Sequence, residues 1–127
     1  MSSAGITAED RRLLDGAKVF LSFSGGKDST ACALLLESFG IPFVSVFMDT
    51  GWEHPALLEY IRGPVSDRFG PVKEIRSKKY PKGMAEAIRK KGMFPGRRAR
   101  WCTEELKIKP WQEFLALQEG PIVTVLG

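Results

Sequence analysis

Ser24-Gly25-Gly26-Lys27-Asp28-Ser29-Thr30 is the stretch on which the fold of this chain turns. It follows the apolar run Val19-Phe20-Leu21-Ser22-Phe23 and precedes Ala31-Cys32-Ala33-Leu34-Leu35-Leu36, which has the composition of a helix. A glycine pair between a buried strand and a helix start lets backbone N–H groups point into one concavity. The helix dipole adds partial positive charge there. Lys27 supplies a full charge, and Ser24, Ser29 and Thr30 supply hydroxyls. The combination reads as a phosphate cradle. An ordinary glycine turn with a Ser or Asp cap needs fewer parts than two glycines, a lysine and three hydroxyls. The patterns Gly-x-x-x-x-Gly-Lys-Ser/Thr and Gly-x-Gly-x-x-Gly are both absent, which disfavours a kinase-type phosphate loop and a Rossmann dinucleotide site.

Outward from this stretch, strands alternate with helices. Residues 7–16 read as a short helix between a Thr7 cap and Gly16. Strands are expected at 18–23, 43–48, 71–76 and 122–126. Helices are expected at 28–39, 53–69, 83–91 and 103–117. The second is weakened at Gly63-Pro64 and the last restarts at Pro110, with a loop over 92–100. This alternation predicts an α/β fold, a three-layer sandwich with a mainly parallel sheet and helices on both faces. Ligands of such sheets bind beyond the carboxyl ends of the strands. That edge collects Ser24–Asp28, Asp49–Gly51 and the segment after Arg76.

The 127 residues fit one domain, 1–127. Met1-Ser2-Ser3-Ala4-Gly5 lacks the basic and apolar regions of a signal peptide. No apolar stretch approaches the ~18 residues of a membrane span. Two distant cysteines make no disulfide framework, so a reducing, cytoplasmic setting is expected. Charge is unevenly placed. Residues 72–109 hold thirteen Lys or Arg against four Glu, a balance of +9, whereas the whole chain carries +4. Such a block suits a polyanion: a nucleotide, a sulfonucleotide or a nucleic acid.

Two further motifs follow the first. Asp49-Thr50-Gly51-Trp52 lies just after the second strand, and Arg100-Trp101-Cys102-Thr103-Glu104-Glu105-Leu106-Lys107-Ile108-Lys109-Pro110 opens the last helical region. With Ser24–Ser29 these resemble, in order and spacing, the PP-loop ATP-pyrophosphatase-like superfamily (adenine nucleotide α-hydrolase-like), in its phosphoadenylyl-sulfate (PAPS) reductase branch. Arg-Trp-Cys-Thr followed by Leu-Lys-Ile-x-Pro is most similar to phage-borne and DNA-phosphorothioation-type members. The resemblance implies a PP-loop nucleotide-binding domain that binds ATP, or a sulfonucleotide, with Mg²⁺. The implied activity is cleavage of ATP between the α- and β-phosphates, by AMP formation or adenylyl transfer, in sulfur activation or transfer. Sulfonucleotide reduction, and a non-catalytic nucleotide-binding subunit, are the alternatives.

Site roles follow residue by residue. Gly25 and Gly26 permit close backbone approach to a phosphate. Lys27 offsets phosphate charge, Ser24 belongs to the cradle, and Ser29 and Thr30 can donate to phosphate oxygens. Asp28 either caps the helix or holds Mg²⁺. Asp49 accepts from ribose hydroxyls, carries the metal, or simply forms an Asx turn. By resemblance the adenine lies along the end of the second strand, read by backbone near Val46–Met48. Trp52 either stacks on a ring or packs inside. Arg97, Arg98 and Arg100 form guanidinium forks suited to phosphate or sulfate, and Lys107 is the matched lysine of the third motif. The cationic neighbours of Cys102 favour a thiolate, although a small buried residue fits equally. Cys32 reads as core and His54 as a packing or capping residue.

The iron–sulfur reductases carry paired cysteines in the third motif. Here Trp101 takes the first place of the pair, and no cysteine follows Cys102. One such chain cannot supply a four-thiolate cluster. The chain stops just past the fourth strand, which reads as a fragment, a minimal version, or a subunit whose C-terminal side is completed by a partner subunit or second copy. Nucleic acid could contact the basic 72–109 region.

Overall fold

In the computed structural model, residues 7–14, 16–93 and 104–126 are described. Helix α1 (Ala8–Leu14) leads into β1 (Lys18–Ser22), α2 (Lys27–Ser38) and β2 (Val44–Met48). Next come α3 (Pro55–Tyr60), a π-helical turn (Ile61–Val65) and α4 (Ser66–Phe69), followed by β3 (Lys73–Ile75) and α5 (Met84–Lys91). A second π-helical turn (Glu104–Ile108) runs into α6 (Lys109–Ala116), and β4 (Ile122–Leu126) follows.

The four strands are all parallel, in the order β3-β2-β1-β4. β1 is therefore central, paired along both edges. Its side chains alternate between two apolar layers, as a strand covered on both faces must. On one face Val19, Leu21 and Phe23 join Phe47 and pack against Ala33 and Leu36 of α2 and Ile61 and Val65 of the first π turn. On the other face Phe20 joins Val46 and Met48 beneath Phe114 of α6. A third cluster, Tyr80, Met84, Ala87 and Leu106, holds α5 to the second π turn. The α/β sandwich expected from the alternation is thus the observed architecture.

The two prolines expected to interrupt helices do so in a specific way. Pro64 cannot donate to the carbonyl one turn back. The helix widens there into a π turn rather than breaking, and the Ser66 hydroxyl donates to the Ile61 carbonyl at 2.8 Å. Pro110 likewise lies where a π turn, Glu104–Ile108, hands over to the α-helix, with Ile108 already helical. Two bidentate ion pairs tie the outer elements: Arg62 with Glu74 of β3, and Arg68 with Glu37 of α2. Each arginine's hydrogen bonds hold its partner carboxyl below the ordinary carboxylate range.

Phe114 meets Phe20 edge-on, with ring centroids 5.1 Å apart. With Pro110 it is one of the two buried residues of α6, and its ring is where that helical layer meets the sheet. Phe114→Ala is expected to lower stability by about 3–5 kcal/mol, the range for emptying a buried aromatic site. Urea denaturation should show a lower midpoint with an unchanged slope.

Candidate functional site

Phe23 leaves the sheet with its N–H on the Val46 carbonyl at 2.9 Å. The chain then turns through Ser24-Gly25-Gly26 into α2. The turn is braced from below by Ser29, whose side chain is wholly buried (0% exposed). Its hydroxyl lies 3.3 Å from both the Ser24 N–H and the Ser24 hydroxyl, and donates to the Gly26 carbonyl at 3.1 Å. The Thr30 hydroxyl also donates to the Gly26 carbonyl, at 2.8 Å. The structure therefore sets Ser29 and Thr30 to hold the loop's shape. Gly26 is the N-cap of α2, and no side chain caps it. The first-turn N–H groups of a helix have no partner within the helix. Lys27 and Asp28 stand exposed in that turn.

The two glycines differ in what they need. Gly25 has φ of +89°, and a Cβ there would come within 2.6 Å of Leu57 Cδ1. Its positive φ is the backbone conformation that favours glycine, and Leu57 would have to shift to admit a side chain. Gly26 has φ of −87°, and its Cβ would meet only Ser24 Oγ, at 3.6 Å. Nothing within the described fold requires glycine there, so its free space lies on the outer side of the loop.

A cleft of about 290 Å³ opens over the carboxyl ends of β1 and β2. Ser22, Ser24, Met48, Glu53 and Leu57 line it, and so does Lys107 from the second π turn. Two residues from the first and third motifs, 83 positions apart in sequence, thus meet at one cavity.

Asp49 lies deep beside this cleft, 3% exposed. One carboxylate oxygen accepts the Gly51 N–H at 2.8 Å, an Asx turn. The other accepts from Arg76 Nε at 3.1 Å, with Nη2 at 2.9 Å. The parallel register explains the pair: Met48 lies opposite Ile75, so the next residue of each strand is a neighbour. Glu53 closes the turn from the other side, accepting the Thr50 N–H at 3.2 Å and the Thr50 hydroxyl at 2.5 Å. Trp52 is 59% exposed, not an interior aromatic. His54 caps α3, its Nδ1 accepting the Ala56 N–H at 3.0 Å. Cys32 is partly buried against the core between α2 and β4.

Gly83 escaped the sequence reading as a site-building residue. A Cβ on it would strike the Thr50 carbonyl at 2.4 Å, and one on Gly51 would come within 3.1 Å of Gly83 Cα. The two glycines stand back to back, and the Met84 N–H donates to the Thr50 carbonyl at 2.8 Å. The start of α5 is thereby docked on the Asp49–Trp52 turn. Glu53 and Glu105 were also missed. Thr50-Gly51-Trp52-Glu53 has the Thr-x-x-Glu spacing of a capping box, a signal that could have found the first. Glu105 sits in the quoted third motif, but its spacing says nothing of burial. Its side chain is 7% exposed, with Lys109 at 2.9 Å, Lys79 at 3.7 Å and Lys91 at 3.9 Å. Glu105 thus joins the loop before α5, the end of α5 and the start of α6. It also positions the π turn that carries Lys107.

Both oxygens of Asp49 are engaged, and among the described residues no three His, Cys, Asp or Glu side chains gather where a cation could bind. The described side chains do not make a cage for Mg²⁺. A Mg²⁺ ion commonly arrives held by substrate phosphates with one or two carboxylates, and Asp28 is the exposed carboxylate on the loop. Arg97, Arg98, Arg100 and Cys102 lie outside the described residues. Among the described residues no helix is long and apolar enough to cross a membrane.

The hydrogen bond from Lys109 holds the Glu105 carboxyl below its ordinary value of 4.5. The folded state therefore binds this proton more weakly than the unfolded chain, and stabilises the protein above pH 4.5. That contribution is lost as pH falls through the lowered value. Glu105→Gln should melt below the parent at neutral pH, and the gap should close on acidification; thermal melts from neutral to acid pH check this. A separate pair of variants tests the glycines. Gly25→Ala should destabilise the fold by about 1–3 kcal/mol, through strain at positive φ and the clash with Leu57. Gly26→Val should keep the native circular dichroism and lose only about 1 kcal/mol of capping.

Three curated proteins are similar to this chain. An uncharacterized protein of Methanocaldococcus jannaschii is 35% identical over 98 residues, covering 76% of this chain and 19% of its own. An uncharacterized 37.8 kDa protein in the gpa 5′ region of Escherichia phage 186 is 30% identical over 130 residues, covering 68% and 39% respectively. A second uncharacterized M. jannaschii protein is 30% identical over 94 residues, covering 74% and 22%. The chain spans between about a fifth and two fifths of the length of these relatives. Residues 18–125 match the phosphoadenosine phosphosulfate reductase domain, a family of nucleotide-linked sulfur metabolism. The glycine-rich loop after β1, the strand-end cleft and the match over nearly the whole chain agree, and the chain belongs to the phosphoadenosine phosphosulfate reductase domain family.

Proposed function

We propose that this domain binds ATP in the cleft over β1 and β2 and cleaves it between the α- and β-phosphates, transferring AMP to an acceptor or releasing it, in sulfur activation or transfer. The observation that carries this reading is the convergence of Ser24, where the glycine loop begins, and of Lys107 on one strand-end cavity. The adenine would lie against Met48 and Leu57, with the phosphates over Ser24–Lys27. Backbone N–H groups at the start of α2 would donate to the phosphate oxygens, and Lys27 and Lys107 would offset their charge. In the reaction an acceptor oxygen forms a bond to the α-phosphorus. The α–β bridging bond breaks, and its electron pair leaves with pyrophosphate. Such chemistry asks for positioning and charge stabilisation more than covalent help. Mg²⁺, when bound, would add charge neutralisation on the phosphates. Arg97, Arg98 and Arg100 remain proposed anion contacts, and Cys102 a proposed thiol.

A second reading is sulfonucleotide reduction, favoured by the family itself. It would require a thiol to attack the sulfonucleotide sulfur and release the nucleotide, with a second thiol or external dithiol to free sulfite. Cys32 packs against β4, so Cys102 is the one candidate. The two readings part on product: AMP and pyrophosphate from ATP, or sulfite from a sulfonucleotide plus dithiol.

Ligand-dependent thermal shifts test the site directly. ATP–Mg²⁺ at a hundredfold over its Kd should stabilise by about 2.7 kcal/mol, a shift of several degrees. Lys27→Ala, Lys107→Ala and Gly26→Val should each abolish most of that shift, the last because its side chain fills the phosphate volume. An undiminished shift in Gly26→Val would remove the phosphate-loop reading. Cys102→Ser should leave ATP turnover within a few-fold of the parent, whereas removal of a covalent nucleophile costs on the order of 10³-fold or more.

A further inference from the structure

A cavity larger than the strand-end cleft lies elsewhere in the molecule. A hollow of about 500 Å³ opens at the opposite end of the sheet, against about 290 Å³ for the cleft. Lys18, Val44 and Lys73, the first residues of β1, β2 and β3, all line it. The nucleotide cleft takes its lining from Ser22 and Met48, the last residues of β1 and β2. The two sites therefore sit at opposite ends of the same strands. The hollow's size falls within the range of about 300–1,000 Å³ typical of small-ligand sites.

Its chemistry is specific. Phe20 and Phe114 of the layer under α6, and Phe43, whose ring also packs against Phe69 of the other layer, line it, and Gln118 closes one side. The Gln118 amide donates to the Phe114 carbonyl at 3.1 Å, which anchors that side chain to α6. The Lys73 ammonium lies 4.9 Å from the centroid of the Phe114 ring. Among the described residues neither Lys18 nor Lys73 is in an ion pair with a carboxylate. Arg62, Arg68, Arg76, Lys79, Lys90, Lys91 and Lys109 face Asp or Glu within 4 Å, whereas Lys27, Lys78, Lys82, Arg89 and Lys107, like Lys18 and Lys73, have no such ion pair among the described residues. Two lysines without acids, on an aromatic floor, leave the hollow with apolar walls and positive charge.

We propose that this hollow is a second ligand site, for a small anion with a flat apolar body, of the aromatic carboxylate or sulfonate class. The ring of such a ligand would lie among Phe20, Phe43 and Phe114, where aromatic faces and edges are both on offer. Its anionic group would meet Lys18 and Lys73. A neutral ligand of the same shape leaves the lysines unanswered, and a small inorganic anion leaves the aromatic walls wet. Both halves of the ligand are needed.

The probe is naphthoate, with naphthalene methanol as its neutral counterpart and inorganic phosphate as its inorganic one. Naphthoate should bind saturably by calorimetry. It should shift backbone amide NMR signals at Val19, Phe20, Val44 and Gln118, and leave those of Ser24–Lys27 unmoved. The Lys18→Gln/Lys73→Gln variant should bind it about tenfold or more weakly, the scale of losing a charge-assisted contact, and should keep the parent's melting temperature. Naphthalene methanol should be weaker than naphthoate by a similar factor on the parent and equal to it on the double variant. The proposal is overturned by no saturable binding of naphthoate, by equal binding of acid and alcohol to the parent, or by shifts at Ser24–Lys27 that phosphate reproduces. The site does not depend on the nucleotide reading: ATP binding can fail with naphthoate shifts intact, and the reverse.

Discussion

β1 is hydrogen-bonded along both edges and covered on both faces, and the position of everything functional follows from that. A strand so enclosed has no freedom to slide, because a one-residue slip would exchange Val19 and Leu21 for Phe20 across the sheet. Its last residues therefore deliver Ser24 to one point with little uncertainty. Ser29 then ties the loop back to its own helix from a wholly buried position. A buried hydroxyl that lost its partners would cost free energy, so this brace holds the loop in one shape before any ligand arrives. The geometry suits a site whose main contribution is fixed backbone dipoles.

Two buried carboxylates organise the basic half of the chain. Asp49 draws Arg76 onto the Asx turn after β2, and Glu105 draws three lysines from three segments to one place. In each case the acid is buried and its cations are largely exposed. The arrangement serves position as much as stability. Exposed pairs contribute little by themselves, but a buried acid without its cations would be strongly unfavourable. The chain must therefore fold with α5 and the second π turn close to the strand ends. Lys107 reaches the cleft as a consequence of that requirement, with no ion pair of its own among the described residues.

Much of this was legible in the sequence, and the reasons it was legible are local. The four strands, the central helices and the loop after β1 are announced by apolar runs, glycines and prolines whose effects act within a few residues. Gly63-Pro64 marked the weak point of the long helix correctly. Its outcome, a π turn mended by Ser66, depends on a hydroxyl five residues from the carbonyl it meets and could not be read from propensity. The site was legible in part. Its loop and Lys107 came from motifs, whereas the Asp49–Arg76 pair depends on the register of two strands. The Gly51–Gly83 contact joins glycines 32 positions apart, and nothing local to either predicts the other. Buried Glu105 was hidden for a different reason: in a charge count an acid among lysines looks like dilution, although here it is the residue the lysines gather on.

The two glycines of the loop carry the last step of the argument. Gly25 is glycine chiefly because its positive φ strains any L side chain, with the Leu57 methyl as a movable second obstacle, so its identity is accounted for by the fold. Gly26 is glycine where the described fold would admit a side chain. Glycine at a helix N-cap does without the side-chain acceptor that Ser or Asp would bring. That choice leaves the first-turn N–H groups free of an internal acceptor and the volume above them clear of a Cβ. Both features disfavour an isolated domain slightly and favour one occupied by an anion. The glycine the fold does not require is thus the one on which the proposed phosphate site makes its sharpest demand.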